Sequence, residues 1–198
     1  MFRLPCLLLL VSLCAFAQSP SSHVLLHTEL GDIELELDAT RAPNTTANFL
    51  KYVEAGAYDG GVFHRTVTMQ NQPQNKVKIE VIQGGENPQS EKDSLASIPL
   101  ERTNKTGLKH LDGTVSMARD TPDSATSDFF ICIGDQPELD FGGKRNPDGQ
   151  GFAAFGHVVK GMAIVRKIQA SPADGQKLTP PIRILSAKVV SGKKVRRS

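Results

Sequence analysis

An imidazole and a guanidinium stand side by side at His64 and Arg65, inside the β-branched run "GVFHRTVTMQ" from Gly61 to Gln70. Further on, Gln83 precedes the glycine pair of "VIQGG", Val81 to Gly85. A charge is costly to bury without a partner. Arg65 is therefore either an exposed strand residue or a group pointing into a cleft, where its planar fork of donors could hold a substrate.

Other chemistries find no footing. The chain has no G-x-S-x-G elbow, phosphate-binding loop or G-x-G-x-x-G, and "SGKK" at Ser191 to Lys194 matches S-x-x-K by spelling only. The five histidines are scattered without metal-ligand spacing. His23 and His27 have no third ligand nearby and read as solvated strand residues. Cys132, between Ile131 and Ile133 and close to Phe130, reads as a small buried hydrophobe. No acids form a catalytic pair. A site without nucleophile, metal, cofactor or phosphate cradle narrows the chemistry to binding or conformational catalysis.

The elements that must position these residues are mostly short strands. "HVLLHTELGDIELELD", His23 to Asp38, alternates as a hairpin with one wet face, Gly31-Asp32 supplying the turn. Pro43 and the Asn44-Thr45-Thr46 cluster open a helix with Phe49, Leu50 and Val53 on its apolar stripe. Strands are predicted over Val62–Val67, Val77–Gln83, Thr114–Ala118, Phe129–Ile133, Ala153–Val159 and Ile182–Val190, and a second helix over Gly161–Gln169. The polar stretch Gln70 to Lys76 reads as an inserted loop. Many short strands, two helices and no internal repeat indicate an antiparallel barrel or sandwich.

The 198 residues carry a net charge of +2, which disfavours a nucleic-acid partner. The first residues, "MFRLPCLLLLVSLCAFAQS", combine Arg3, an apolar run from Leu7 to Phe16, and small residues at Ala15 and Ala17. That is the layout of a secretory signal over residues 1–17, too short for a membrane span. The reading is an exported protein, periplasmic or secreted, with no stable membrane insertion. Residues 18–198 form one domain, and 191–198 a flexible basic tail. Cleavage would remove Cys6 and Cys14 and leave Cys132 alone, so no internal disulfide is available.

Four stretches carry a resemblance: "FHR" (Phe63 to Arg65), "IQGG" (Ile82 to Gly85), "GTVSMARDTPDSATSDFFICIGD" (Gly113 to Asp135) and "GFAAFGHVVKGMAIVRKI" (Gly151 to Ile168). In this order they resemble the cyclophilin family of peptidyl-prolyl cis–trans isomerases, from about His23 to Val190. The resemblance implies a closed eight-stranded antiparallel β-barrel capped by two α-helices. It implies a monomer, without cofactor or metal, acting on proline-containing segments of unfolded or folding proteins. Arg65 matches the family's catalytic arginine and Gln83 the glutamine that supports it. Phe130 and Leu139 match walls of the proline pocket, Val81 stands where a methionine is usual and makes the pocket a little shallower, and Phe152 is expected to bind substrate with them. Ala118 and Arg119 match the stretch that pairs with the substrate backbone, and His64, beside the arginine, is counted with the substrate-binding residues. A cyclophilin-like binding or chaperone module with little turnover is the alternative.

Several positions depart from the family pattern. Residues Thr66 to Ile79 replace a short Pro-Gly turn, and Glu80 stands where a pocket phenylalanine is usual. The pocket is then expected to lack one aromatic wall unless Val67 or Met69 folds back. Asp128 replaces a usual glutamine. Glu138 stands where many members carry a tryptophan that contacts cyclosporin, so weak binding of that drug is expected. The loop Phe141 to Gln150 is longer than in compact members.

Overall fold

The computed structural model describes residues 22–89 and 95–190. The expected signal segment and the basic tail lie outside the described residues.

Apolar alternation builds the barrel strand by strand. β1 (Ser22–Thr28) and β2 (Gly31–Leu37) bury Val24, Leu26, Ile33, Leu35 and Leu37 on one face. The turn between them falls at Glu29-Leu30, two residues earlier than Gly31-Asp32. Gly31 already pairs with Thr28, and the Thr28 hydroxyl both accepts from the Leu30 N–H and donates to the Gly31 carbonyl. His27 is exposed beside Asp32, but His23 is not solvated as expected: its side chain is 13% exposed and contacts Glu34 at 3.0 Å.

The remaining strands are β3 (Val62–Val67), β4 (Val81–Gly85), β5 (Thr114–Met117), β6 (Phe129–Cys132), β7 (Ala153–Lys160), the two-residue β8 (Ala173–Asp174) and β9 (Lys177–Val190). They take the order β1-β2-β7-β5-β6-β4-β3-β9, and pairing of β9 with β1 closes an eight-stranded antiparallel barrel. β8 is a small addition to the start of β9. Closure removes the unpaired edges that would otherwise invite association. β9 begins five residues before the predicted Ile182, because Pro180 and Pro181 hide its extended start in the sequence. The predicted strand from Val77 begins only at Val81, since the Ile79 N–H and the Val77 carbonyl bond to side chains instead of a neighbouring strand.

Two helices pack on the barrel. α1 (Pro43–Glu54) lies against β7 and β9, and α3 (Met162–Gln169) against β2, β3 and β4. α2 (Thr103–Thr106) is a single turn that the sequence does not announce. α1 has no side-chain cap of its own. Glu101, far away in sequence, accepts from the backbone N–H groups of Asn44 and Thr45 and from both their side chains. A carboxylate there satisfies orphan donors and complements the helix dipole. The interior is filled by Phe49, Tyr58, Phe63, Phe129 and Phe155, with Phe49 and Phe129 edge to face at 5.4 Å.

Candidate active site

The position of Arg65 depends on a break in strand alternation. In an unbroken strand Phe63 and Arg65 would share a face, and Phe63 is wholly buried in the barrel interior. The register between β3 and β4 slips there: Phe63 faces Gly84, whereas Arg65 faces Gln83. His64 is the extra residue of this bulge, and such an insertion re-aims the side chains beyond it. Thr66 then pairs with the interior Ile82, while Arg65 and Val67 stand on the outer face with Gln83 and Val81.

β6 and β5 continue the outer face. Gln83 faces Phe130, and Phe130 faces Ser116, so Arg65, Gln83, Phe130 and Ser116 form one row across four strands. Gly84 and Gly85 keep the row close. A Cβ on Gly85 would lie 1.9 Å from Asp128 Oδ1, and one on Gly84 would lie 2.9 Å from the Phe63 ring. The "QGG" sequence is therefore a close-approach requirement.

Arg65 is held by two glutamines. Its Nη1 donates to Gln83 Oε1 at 3.0 Å, while Nε and Nη2 donate to Gln176 Oε1 at 2.9 and 2.7 Å. Gln83 Nε2 donates in turn to Asp128 Oδ2 at 2.9 Å. A carboxylate can only accept, so Asp128 fixes the Gln83 amide with its carbonyl toward Arg65. The three bonds consume three of the five guanidinium N–H groups and leave one on each Nη. Desolvation lowers the Arg65 pKa from its ordinary value, and the group remains a cation. His64, expected among the substrate-binding residues, does not line the cleft: as the extra residue of the bulge it faces Asp128 at 3.5 Å instead.

Beside Arg65 opens a cleft of about 380 Å³. Its apolar wall contains Ile79, Val81, Ala118, Phe130, Leu139 and Phe152. Phe130 and Phe152 meet edge to face at 5.3 Å. Phe130 is backed by the His110 ring, stacked at 6.0 Å with 14° between planes. His110 is itself fixed by Asp140 at 2.8 Å and by the Ser116 hydroxyl at 3.0 Å. That trio has the composition of a hydrolytic triad, but Ser116 is fully buried, so no substrate reaches it. It stiffens the pocket wall.

No aromatic among the described residues stands in for the one expected to be missing at Glu80: Ile79 lines the cleft, and Val67 joins the same buried cluster. Met69 stays 44% exposed and does not fold back. The Glu80 side chain accepts from Gln169 Nε2 at 3.2 Å instead. The inserted loop is organised by Gln72, which is buried and uses its full bonding capacity. Its Nε2 donates to the Thr68 and Ile79 carbonyls, and its Oε1 accepts from the Ile79 N–H and from Arg145 Nη1.

Ala118 and Arg119 both line the cleft. The Ala118 N–H is already donated to the Asp128 carbonyl, leaving that residue its carbonyl to offer a peptide. The Arg119 side chain is 1% exposed, paired with Asp148 through two bonds, bonded to the Gly151 carbonyl and set 5.1 Å over the Phe152 ring. It fastens the wall that Phe152 forms.

Sequence reasoning passed over Ile79, Gln72, Gln176 and Arg145. Gln72 lies in a stretch that reads as plain polar loop, Ile79 reads as one more residue of the strand predicted from Val77, and Gln176 and Arg145 reach the site from turns far along the chain. No residue type or spacing marks them.

The comparisons agree with this geometry. The family model described as "Cyclophilin type peptidyl-prolyl cis-trans isomerase/CLD" matches residues 23–189. The chain is 39% identical over 184 residues to "Peptidyl-prolyl cis-trans isomerase A" of Dickeya dadantii, covering 89% of this chain and 88% of that protein. It is 36% identical over 147 residues to "Peptidyl-prolyl cis-trans isomerase B" of Escherichia coli, covering 74% and 83%. A crystal structure of a cyclophilin type peptidyl-prolyl cis-trans isomerase from Cryptosporidium parvum superposes with a TM-score of 0.70 at 23% identity, covering 87% of this chain and 99% of that one. A second structure of that protein, in the presence of the dipeptide Ala-Pro, gives 0.69 at 24%, covering 86% and 99%. With the barrel, the arginine–glutamine row and the profile match all in place, the chain belongs to the cyclophilin-type peptidyl-prolyl cis–trans isomerase family.

Proposed function

We propose that this protein accelerates rotation about X-Pro bonds in unfolded or folding polypeptides, with Arg65 as the catalytic group. The observation that carries this is a guanidinium pinned by Gln83 and Gln176 in a cleft with an apolar wall, with two N–H groups to spare. Rotation about an amide meets a barrier of about 18–20 kcal/mol because it breaks resonance. For X-Pro the two end states differ by only about 0.5–1 kcal/mol. No covalent step is needed. As the amide twists, its lone pair localises on the prolyl nitrogen, and a fixed donor there binds the twisted form more tightly than either planar one. Such differential binding lowers the barrier.

Exchange NMR on an Ala-Pro peptide tests this. The parent chain is expected to catalyse exchange, and Arg65→Ala to lose about 10²–10³-fold, the usual effect of removing one preorganised donor. Arg65→Lys fails substantially too, because a point charge cannot reproduce a planar fork. Equal rates in parent and variants would overturn the assignment. A pure binding or chaperone module would keep peptide affinity with no acceleration of exchange, and the intact Arg65–Gln83 pair argues against it.

The remaining parts of the reading concern where and how it works. The N-terminal sequence supports export, with residues 1–17 removed as a signal, to act as a monomer in the periplasm or medium. The mass of the mature protein and its elution on size exclusion check both. With Glu138 on the 3-10 turn Pro137–Leu139 beside the cleft, cyclosporin binds weakly, a point for titration calorimetry.

A further inference from the structure

The cleft contains a second guanidinium that the rotation step does not use. Arg145, from the loop Phe141 to Gln150, lines the same cleft as Arg65. Its Nη1 donates to Gln72 Oε1 at 2.9 Å and to the Val77 carbonyl at 2.7 Å, which fastens this loop to the inserted one. Its Nε and Nη2 have no partner among the described residues, and neither nitrogen is sealed from solvent.

Arg145 shares the cleft with the guanidinium of Arg65, and neither has a carboxylate partner among the described residues. Among the described residues, the arginines with carboxylate partners are Arg41, Arg119, Arg166 and Arg183. Arg65, Arg102 and Arg145 have only neutral amides and backbone carbonyls, and of these Arg65 and Arg145 line the cleft. Desolvation, and then the nearby charge of Arg65, lower the Arg145 pKa. The two cations therefore feel each other in a partly dry cleft. Two carboxylates also line the cleft: Asp128 is engaged by Gln83 and His64, and Asp120 makes no ion pair among the described residues. Arg145 is thus a cation of the cleft with donors to spare and no carboxylate of the described residues to take them.

From this we propose that Arg145 is a specificity-determining residue, receiving a carboxylate side chain of the substrate placed within a residue or two of the proline. A glutamate or aspartate there would take the free Nε and Nη2 donors in the side-on geometry that a guanidinium offers a carboxylate. It would also relieve the repulsion between the two cations. The inference rests on the isomerase reading above, in that the ligand is a proline-containing peptide.

The test is a set of Ala-Pro peptides with Glu, Gln or Lys substituted in turn at the positions on either side of the Ala-Pro pair. Binding is read by NMR titration and turnover by exchange spectroscopy, so that the affinity preference is measured even if turnover is absent. At one position Glu is expected to bind about 5–10-fold more tightly than Gln, with Lys weaker than both, and added salt reduces the gap. The ratio of Glu to Gln collapses toward one in Arg145→Gln and is retained in sign in Arg145→Lys. Because each variant is compared with itself across peptides, a general loosening of the loop does not move that ratio. Equal affinities for Glu and Gln at every position of the parent, or an undiminished preference in Arg145→Gln, would overturn the proposal. Acidic preference without exchange would uphold it while sinking the catalytic role of Arg65.

Discussion

Asp128 accepts a hydrogen bond of 2.9 Å from Gln83 Nε2, and that contact decides which end of the amide meets Arg65. Were the amide reversed, an NH₂ group would confront a guanidinium, donor against donor. Asp128→Leu removes the constraint. Turnover is expected to fall by about 3–10-fold, the worth of one hydrogen bond of ordinary strength, with little change in unfolding temperature. Gly85→Ala should reproduce the effect, because its Cβ would displace the Asp128 carboxylate. Exchange rates measured alongside thermal melts check both variants. An unaltered rate in Asp128→Leu would mean that Gln83 is held by something else.

Gln72 is buried and ties the inserted loop to both Ile79 and Arg145. Gln72→Leu leaves the Ile79 N–H, two carbonyls and a guanidinium N–H without their partner. A loss of about 1–3 kcal/mol in stability is expected from unpaired buried groups. The peptide KM should rise more than kcat falls, since Ile79 is a pocket wall and not a participant in the rotation. Urea unfolding and steady-state kinetics measure the two effects.

Asp140 makes the pocket backing sensitive to acid. Burial alone would raise its pKa, but the hydrogen bond and charge of His110, the His110 N–H and Lys109 outweigh this and hold it below the ordinary value. A folded-state pKa below the unfolded one contributes stability above the unfolded value of about 3.9. That contribution is lost as pH falls through the lower folded value. Asp38, lowered by Arg41 against its own burial, acts in the same direction. The urea midpoint should be flat from neutral pH down to about pH 5 and fall below about pH 4. Asp140→Asn should lower the neutral plateau and flatten the acid decline.

Glu101 supports α1 from outside the helix. Glu101→Gln keeps its size but removes the charge and one acceptor from a cluster of four donors. A destabilisation of about 1–2 kcal/mol is expected, read as a shift in urea midpoint at constant slope.

Much of the fold can be read in the residues. Alternation in "DIELELD" and the apolar stripe of α3 depend on period alone, and the start signal at Pro43 on the fixed φ of one residue, so all three survive without knowledge of neighbours. The positions of Arg65, Gln83 and Phe130 in the cleft accord with motif order. The elements that the sequence hides are those whose hydrogen bonds go to distant side chains. Glu101 on α1, Gln72 across its loop and Gln176 on Arg65 are ordinary polar residues until the chain brings their partners to them.

Residue order alone is enough to put Phe63 and Arg65 two apart in one strand and a glycine pair after Gln83. Read by alternation, that order would send both side chains to the same face, a charge into the aromatic core. Folding resolves the conflict through one extra residue at His64 in the pairing with β4. A bulge is a mismatch between two strands, so it exists in their register and in neither sequence alone.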